Sequence, residues 1–128
     1  NLDDCTGEAI GFAMERLLDA GALDVYWTSV GMKKNRPGIL LTCMCRPLDR
    51  EKMVELLFRH TTTLGVRESA FRRYTLSRES KTIQTPDGDI RVKVSTGYGV
   101  AREKPEFEDL AKIARKTGKS LSELQRSI

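Results

Sequence analysis

The chain reads as an α+β protein: a ferredoxin-like β-α-β-β-α-β unit followed by a β-hairpin and a C-terminal helix pair. Three observations predict this. Helical apolar patterns near residues 7–20 and 50–60 interleave with strand-like stretches at 23–32, 39–45 and 66–76, in the order of a split βαβ unit. Around Asp87-Gly88, residues 81–95 alternate apolar and charged side chains, a hairpin signal. Beyond residue 104, two short helical patterns are separated by Gly118.

Each element has a local reason. Thr6 can cap a helix that puts Ile10, Met14, Leu17 and Leu18 on one face and stops at Gly21. LDVYWTSVGM (23–32) is rich in β-branched and aromatic residues, and ILLTCMC (39–45) is apolar on both faces, as a central strand would be. That double apolarity predicts a covered second face, under the later hairpin or another subunit. Asp49 is placed to cap a second helix buried through Met53, Val54, Leu56, Leu57 and Phe58, which gives way at Thr61-Thr62-Thr63 and stops at Gly65. A strand is expected from Val66 to about Leu76. In IRVKVS (90–95), Ile90, Val92 and Val94 form an apolar face opposite Arg91 and Lys93. The GYG at 97–99 reads as a flexible link, and Pro105 as the first turn of a helix carrying Phe107, Leu110, Ile113 and Ala114. Ser120 and Glu123 form a capping box for a last helix with Leu121 and Leu124 inward. Asn1–Asp4 would be the stub of the first strand. The boundaries are one domain, 1–128, with the ferredoxin-like unit at 1–77 and the hairpin and helical tail at 78–128.

Composition narrows the function classes. With 128 residues, 39% hydrophobic and 31% charged, the chain can bury a proper core and is not of the disordered type. No apolar run reaches the ~20 residues of a membrane span, and no signal-peptide pattern opens the chain, whose start at Asn1 reads as a fragment of something longer. The net charge of +4 is a mild bias toward anionic partners. Three cysteines without C-x-x-C spacing read as reduced thiols of a cytoplasmic protein. Cys43 and Cys45 share a strand face, as small buried hydrophobes or, alternatively, soft-metal ligands; with one histidine, His60, a self-contained metal site is not expected.

The predicted topology gathers three turns at one end: Asp3-Asp4-Cys5-Thr6, Lys33–Gly38 and Thr61–Arg67. One edge would collect two carboxylates, the cations Lys33, Lys34, Arg36 and Arg67, and the hydroxyls of Thr6 and Thr61–Thr63. Such a set suits a polyphosphate with a divalent ion: cations neutralise phosphate oxygens, hydroxyls and loop N–H groups donate, and carboxylates hold Mg²⁺ or Mn²⁺. Taken singly, each loop has a plainer reading. KKNR also fits a solvated hairpin tip, the threonines helix termination, and Asp3-Asp4 a helix-dipole partner.

Five segments carry a resemblance: NLDDCTGE (1–8), LLDAGALDV (17–25), MKKNRPG (32–38), TTTLGVR (61–67) and KPEFED (104–109). In the same order and over nearly the whole chain, they resemble the C-terminal domain of the nickel insertion (LarC) family. Cys5 stands where that family is expected to have methionine, and Phe107 where it is expected to have tyrosine. The resemblance implies a CTP-dependent nickel chelatase, or cyclometallase, of nickel-pincer nucleotide cofactor biosynthesis, serving lactate racemase. Its reaction inserts Ni²⁺ into pyridinium-3,5-bisthiocarboxylic acid mononucleotide, making two Ni–S bonds and one Ni–C bond, with CTP cleaved to CMP and pyrophosphate. The C-terminal domain is implied to bind CTP with Mn²⁺ or Mg²⁺ and to form a homo-oligomer, while a separate N-terminal domain handles nickel; an isolated C-terminal domain would be inactive. Carried onto this sequence, nucleotide and phosphate contacts fall to Lys33, Lys34, Asn35, Arg36, Thr61, Thr62, Thr63, Arg67 and Lys104. Asp3, Asp4, Glu106 and Asp109 are candidates for the divalent ion. No catalytic residue is assigned.

The tail LAKIARKTGKSLSELQRSI also has the look of a DNA-binding helix-turn-helix, which with the basic charge makes a non-enzymatic nucleic-acid binder the main rival. Against it, no third helix precedes the pair, and Ser122, Glu123 and Gln125 are not base-reading cations. A purely structural oligomerisation domain is the remaining reading.

Overall fold

The computed structural model describes all residues, Asn1–Ile128. The α+β class holds. The chain divides into two compact units, Asn1–Ala70 and Phe71–Ile128, so the division falls before the 77/78 boundary expected from the sequence.

In the first unit, α1 spans Gly7–Asp19, and the extended Thr6 accepts the Ala9 N–H at 3.2 Å on its hydroxyl oxygen. Ile10, Ala13 and Leu17 are its buried face. Leu18 is half exposed, lying a further 100° round the helix from Leu17. β1 (Asp24–Met32) and β2 (Arg36–Met44) pair antiparallel, from Asp24 opposite Met44 to Met32 opposite Arg36. The ladder therefore runs three residues further toward the tip than the apolar pattern alone indicates. Pro37 fits there because it stands near the strand start, where a missing N–H costs little. A 3₁₀ turn at Pro47–Asp49 leads into α2 (Arg50–His60). Asp49 does not cap with its side chain. Its backbone is already helical (φ −95, ψ −1), and its carboxylate pairs with Lys52 at 3.4 Å. Leu17, Val25 and Met53 form the core, flanked by Met14, Leu41, Cys43, Cys45, Leu56 and Leu57. Phe58 lies outside it, half exposed.

Two strands of the expected ferredoxin-like sheet are missing or vestigial. The first is a single bridge, in which Leu2 and Ile39 exchange N–H···O bonds at 2.8 Å. The strand expected at 66–76 does not form. In the split unit that strand would extend the ladder of the first, and a one-residue ladder offers nothing to extend. Its sequence is also broken by Arg67, Glu68, Arg72 and Arg73, and Phe71 and Tyr74 are 82% and 74% exposed. The observed sheet is thus β1-β2 with a bridge.

In the second unit, β3 (Ser77–Thr85), β4 (Gly88–Gly97) and β5 (Val100–Pro105) form an antiparallel meander in that order. The hairpin expected around Asp87-Gly88 forms, with Pro86-Asp87 as its two turn residues and Gly88 opening β4 opposite Thr85. β5 was not anticipated. The supposed flexible GYG is a two-residue turn with Tyr98 at φ 49 and Gly99 at φ 74, the left-handed pair whose twist joins adjacent strands. Pro105 consequently ends β5 opposite Val92 and does not open a helix. α3 (Phe107–Thr117) follows and ends at Gly118 in the left-handed conformation (φ 74). α4 (Leu121–Arg126) carries the expected Ser120–Glu123 capping box. Leu110, Ile113 and Leu124 pack on Ile90 and Val92. The tail's helices therefore give their apolar faces to the sheet, and α4 is only 6 residues long, unlike a recognition helix. Phe107 and Leu121, expected inward, remain exposed. No helix is long and apolar enough to cross a membrane.

Gly38 is the position with least freedom. A Cβ there would stand 2.7 Å from the Leu2 carbonyl oxygen and 2.5 Å from Met32 Sδ. Gly38→Ala should lower the stability of the first unit by about 1–3 kcal/mol, read as a shifted urea midpoint. An unchanged midpoint would mean that the bridge can open at no cost.

In the second unit, Asp109 takes Arg91 through Nε at 2.8 Å and the second guanidinium nitrogen at 2.9 Å, and accepts the Arg91 backbone N–H at 2.9 Å. The Arg91 guanidinium and backbone N–H hold the Asp109 carboxyl down at about 2. A carboxyl lowered on folding stabilises the fold above its unfolded value near 4 and loses that contribution as pH falls from about 4 through 2. Asp109→Asn should lower the thermal midpoint at pH 7 and flatten its decline between pH 4 and 2. Followed by circular dichroism, parallel wild-type and variant curves would exclude this linkage.

Candidate functional site

The three turns predicted to converge do so within the first unit. They wall an open groove of about 610 Å³, lined by Asn1–Asp4, Lys33 and Thr62–Arg67. Three local features build it. The Leu2–Ile39 bridge holds the N-terminal segment beside β2, so that Asp3 and Asp4 follow it directly. The β1-β2 tip turns through two consecutive left-handed residues, Lys34 (φ 60) and Asn35 (φ 61). Asparagine accepts that backbone readily, whereas a lysine there is uncommon. After α2 the chain runs on through 62–67 without entering a ladder.

The carboxylates of Asp3 and Asp4 tie these turns together. Arg36 donates to Asp3 at 3.2 Å, joining the N-terminal turn to the hairpin tip. Thr62 donates its hydroxyl to Asp4 at 2.5 Å, joining the N-terminal turn to the segment after α2. Thr63 donates to the Gly65 carbonyl at 2.8 Å and shapes that segment from within. Beyond the groove, Arg50 donates to Glu68 at 3.3 Å and anchors its far end.

The expected residues therefore divide. Lys33, Arg67, Thr62, Thr63, Asp3 and Asp4 line the groove, and Arg36 reaches it through Asp3. Lys34 and Asn35 shape the tip without lining the groove. Thr61 donates its hydroxyl to the Leu57 carbonyl at 2.7 Å, closing α2 in the terminating role open to all three threonines. Lys104, Glu106 and Asp109 belong to the second unit, where Glu106 pairs with Lys93 at 2.8 Å and Asp109 with Arg91. Both carboxylates are engaged in holding α3 to β4. Leu64, Gly65 and Val66, which fall within the expected turn Thr61–Arg67 but carry no charge or hydroxyl to single them out, also line the groove.

Charge and donor type limit what the groove can hold. Two cations, Lys33 and Arg67, face two carboxylates along its wall, so the lining is close to neutral. An anion of high charge is favoured there by a counter-cation. Asp3 and Asp4 are hard oxygen donors suited to Mg²⁺ or Mn²⁺. Nowhere do three His, Cys, Asp or Glu side chains converge as a ligand set. The pair therefore fits an ion that brings phosphate and water ligands with it.

Cys43 and Cys45 do not form a soft-metal site. Both pack against the Leu17–Val25–Met53 core. Burial, and secondarily the neighbouring Cys45, push the Cys43 thiol up to about 11. At pH 8 its thiolate fraction should lie on the order of a hundredfold below that of a free cysteine. Timed alkylation with peptide mapping should find Cys43 correspondingly slow; labelling at the rate of a small thiol would contradict the burial.

A small α+β domain whose sheet end carries a polar, charge-balanced groove is the class that fold and site define. The nickel insertion protein family matches residues 1–125, and the chain belongs to that family. It is 46% identical over 122 residues to a putative nickel insertion protein of Synechocystis sp., covering 91% of this chain and 29% of that protein. With the pyridinium-3,5-bisthiocarboxylic acid mononucleotide nickel insertion protein of Acetivibrio thermocellus it shares 44% identity over 128 residues, all of this chain and 31% of the relative. Among solved structures, it superposes on the apo C-terminal domain of a cyclometallase involved in synthesis of the NPN cofactor of lactate racemase. That match has a TM-score of 0.83 and 37% identity, covering 98% of this chain and 88% of the other. The chain thus spans about 30% of the length of these curated relatives.

Proposed function

We propose that this chain is the nucleotide-binding part of a CTP-dependent nickel insertion enzyme acting on pyridinium-3,5-bisthiocarboxylic acid mononucleotide. The groove carries the proposal: three turns bring Lys33, Arg67, Thr62, Thr63 and two carboxylates around a space of about 610 Å³, within the range of small-molecule sites. Family membership and the names of the relatives support nickel insertion as the larger reaction.

In this reading Lys33 and Arg67, neither of which has an acidic partner, receive phosphate oxygens of CTP. Thr62 and Thr63 orient the ligand with their hydroxyls. Asp3 and Asp4 face the Mn²⁺ or Mg²⁺ that arrives with the triphosphate. That ion supplies the positive charge the near-neutral wall lacks. Nickel is cargo, and no ligand set for it converges in this chain. The remaining length of the relatives is the natural place for nickel handling and for catalysis, and the isolated chain is expected to be inactive. Self-association in the cytoplasm completes the reading: the outer face of β1-β2 exposes Tyr26, Leu40 and Met44, an apolar surface that a second copy would cover.

Calorimetric titration with CTP, ATP and GTP, with and without Mn²⁺, tests the assignment. Saturable, metal-dependent binding with preference for CTP is expected, weakened at least tenfold by Lys33→Ala/Arg67→Ala, since each charge-assisted contact contributes about 1.5–3 kcal/mol. Affinity for any DNA duplex that falls steeply with salt would instead favour the nucleic-acid reading. Absence of triphosphate binding would sink the proposal.

A further inference from the structure

Arg36 is the cation of the hairpin tip whose guanidinium is already occupied. Lys33 and Arg67 line the groove without acidic partners, whereas Arg36 donates to Asp3 at 3.2 Å. This ion pair links two of the groove's three turns, and it is a loose one. A single guanidinium nitrogen makes the contact, and the Arg36 side chain is 53% exposed. Carboxylate and phosphate oxygens offer a guanidinium the same kind of acceptor, and phosphate offers more of them.

We propose that Asp3 acts as an internal stand-in for phosphate, and that a metal–polyphosphate entering the groove exchanges it. Arg36 passes from Asp3 to a phosphate oxygen, and the released Asp3 carboxylate turns to the cation carried with the ligand. The inference rests on the nucleotide reading and adds a positioning role for Asp3 that makes binding metal-dependent. Two physical points support it. A pair of one contact at 3.2 Å, with Arg36 53% and Asp3 21% exposed, holds its partners by about 1 kcal/mol, so the exchange costs little. A bare polyphosphate that took Arg36 would leave Asp3 uncompensated beside the incoming anion, a like-charge contact within a groove already close to neutral. A divalent ion removes that penalty; without one, Asp3 competes with the ligand for Arg36.

Asp4 supplies the internal control. It lies in the same groove with the same charge, but its partner is the Thr62 hydroxyl, at 2.5 Å. Neutralising Asp4 removes one negative charge and frees no arginine.

The experiment is calorimetry of the full 128-residue chain with CTP, in chelator and in Mn²⁺, for wild type, Asp3→Asn, Asp4→Asn, Arg36→Ala and the Asp3→Asn/Arg36→Ala double variant. Asp3→Asn should tighten metal-free CTP binding by about fivefold and narrow the gap between metal-free and metal-loaded affinities. The gain from Asp4→Asn should be clearly smaller. In the Arg36→Ala background, Asp3→Asn should give no comparable gain, because the partner it would release is absent. Equal gains from Asp3→Asn and Asp4→Asn, or a full gain that persists without Arg36, would reduce the effect to bulk charge and overturn the exchange. Wild-type binding in Mn²⁺ with no metal-free gain in Asp3→Asn would overturn the exchange and leave the nucleotide site standing. No wild-type binding under either condition would remove both.

Discussion

The groove depends on one contact, the two-hydrogen-bond bridge between Leu2 and Ile39. It fixes the N-terminal segment against β2 at the point where a glycine, Gly38, leaves room for the Leu2 carbonyl. Everything chemical follows from that placement. Asp3 and Asp4 come next in sequence, so the bridge sets both carboxylates between the hairpin tip and the segment after α2. Leu2 is itself 5% exposed, which gives the bridge an apolar anchor as well as its hydrogen bonds. A full first strand would make the same placement more stable but would also provide an edge for 62–67 to join. The single bridge leaves those residues outside a ladder, lining the groove.

The electrostatics divide between structure and site in an orderly way. In the second unit, four ion pairs tie the elements together: Asp109 with Arg91, Glu106 with Lys93, Glu103 with Lys81, Asp87 with Lys119. Several of these cross between a helix and the sheet and fix α3 and the following turn against the strands. In the groove of the first unit the matching is incomplete, with Lys33 and Arg67 unpaired and Arg36 held by one contact. Unpaired cations that share a groove with a loosely held one suit an exchangeable anion, whereas pairs that bridge two elements serve a fixed fold.

Much of this was legible in the sequence because it rests on local chemistry. The Thr6 cap, the Ser120–Glu123 box, the αL stop at Gly118 and the Asp87-Gly88 hairpin each need only neighbouring residues, and all four form. The convergence of three turns was also readable, because chain alternation sets which turns share an end. What was hidden depended on partners far away in sequence. Val66–Leu76 contains enough β-branched and aromatic residues to look like a strand, but a strand needs an edge, and the one-residue first strand supplies none. The GYG turn was misread for the opposite reason. Glycine on either side of Tyr98 looks like flexibility, yet Tyr98 and Gly99 both at positive φ make a tight reversal that commits 100–105 to a third strand. Likewise, Glu106 and Asp109 look like free carboxylates in the sequence, and only β4 beside them reveals their partners.

The same reasoning says why a binding groove forms in this part of the fold. A ladder would engage the backbone of 62–67, and its strands would bring side chains alternately to the two faces. Outside a ladder, the turn after α2 keeps its side chains and backbone at the groove wall, with Thr61 closing the helix and Thr63 bracing Gly65 so that the segment stays shaped without strand partners. The arrangement requires the turn to be held from its two ends, by Thr62 on Asp4 and by Glu68 on Arg50. The groove wall therefore rests on these side-chain ties and not on a ladder, at the end of the sheet where Lys33, Arg67 and the two carboxylates meet.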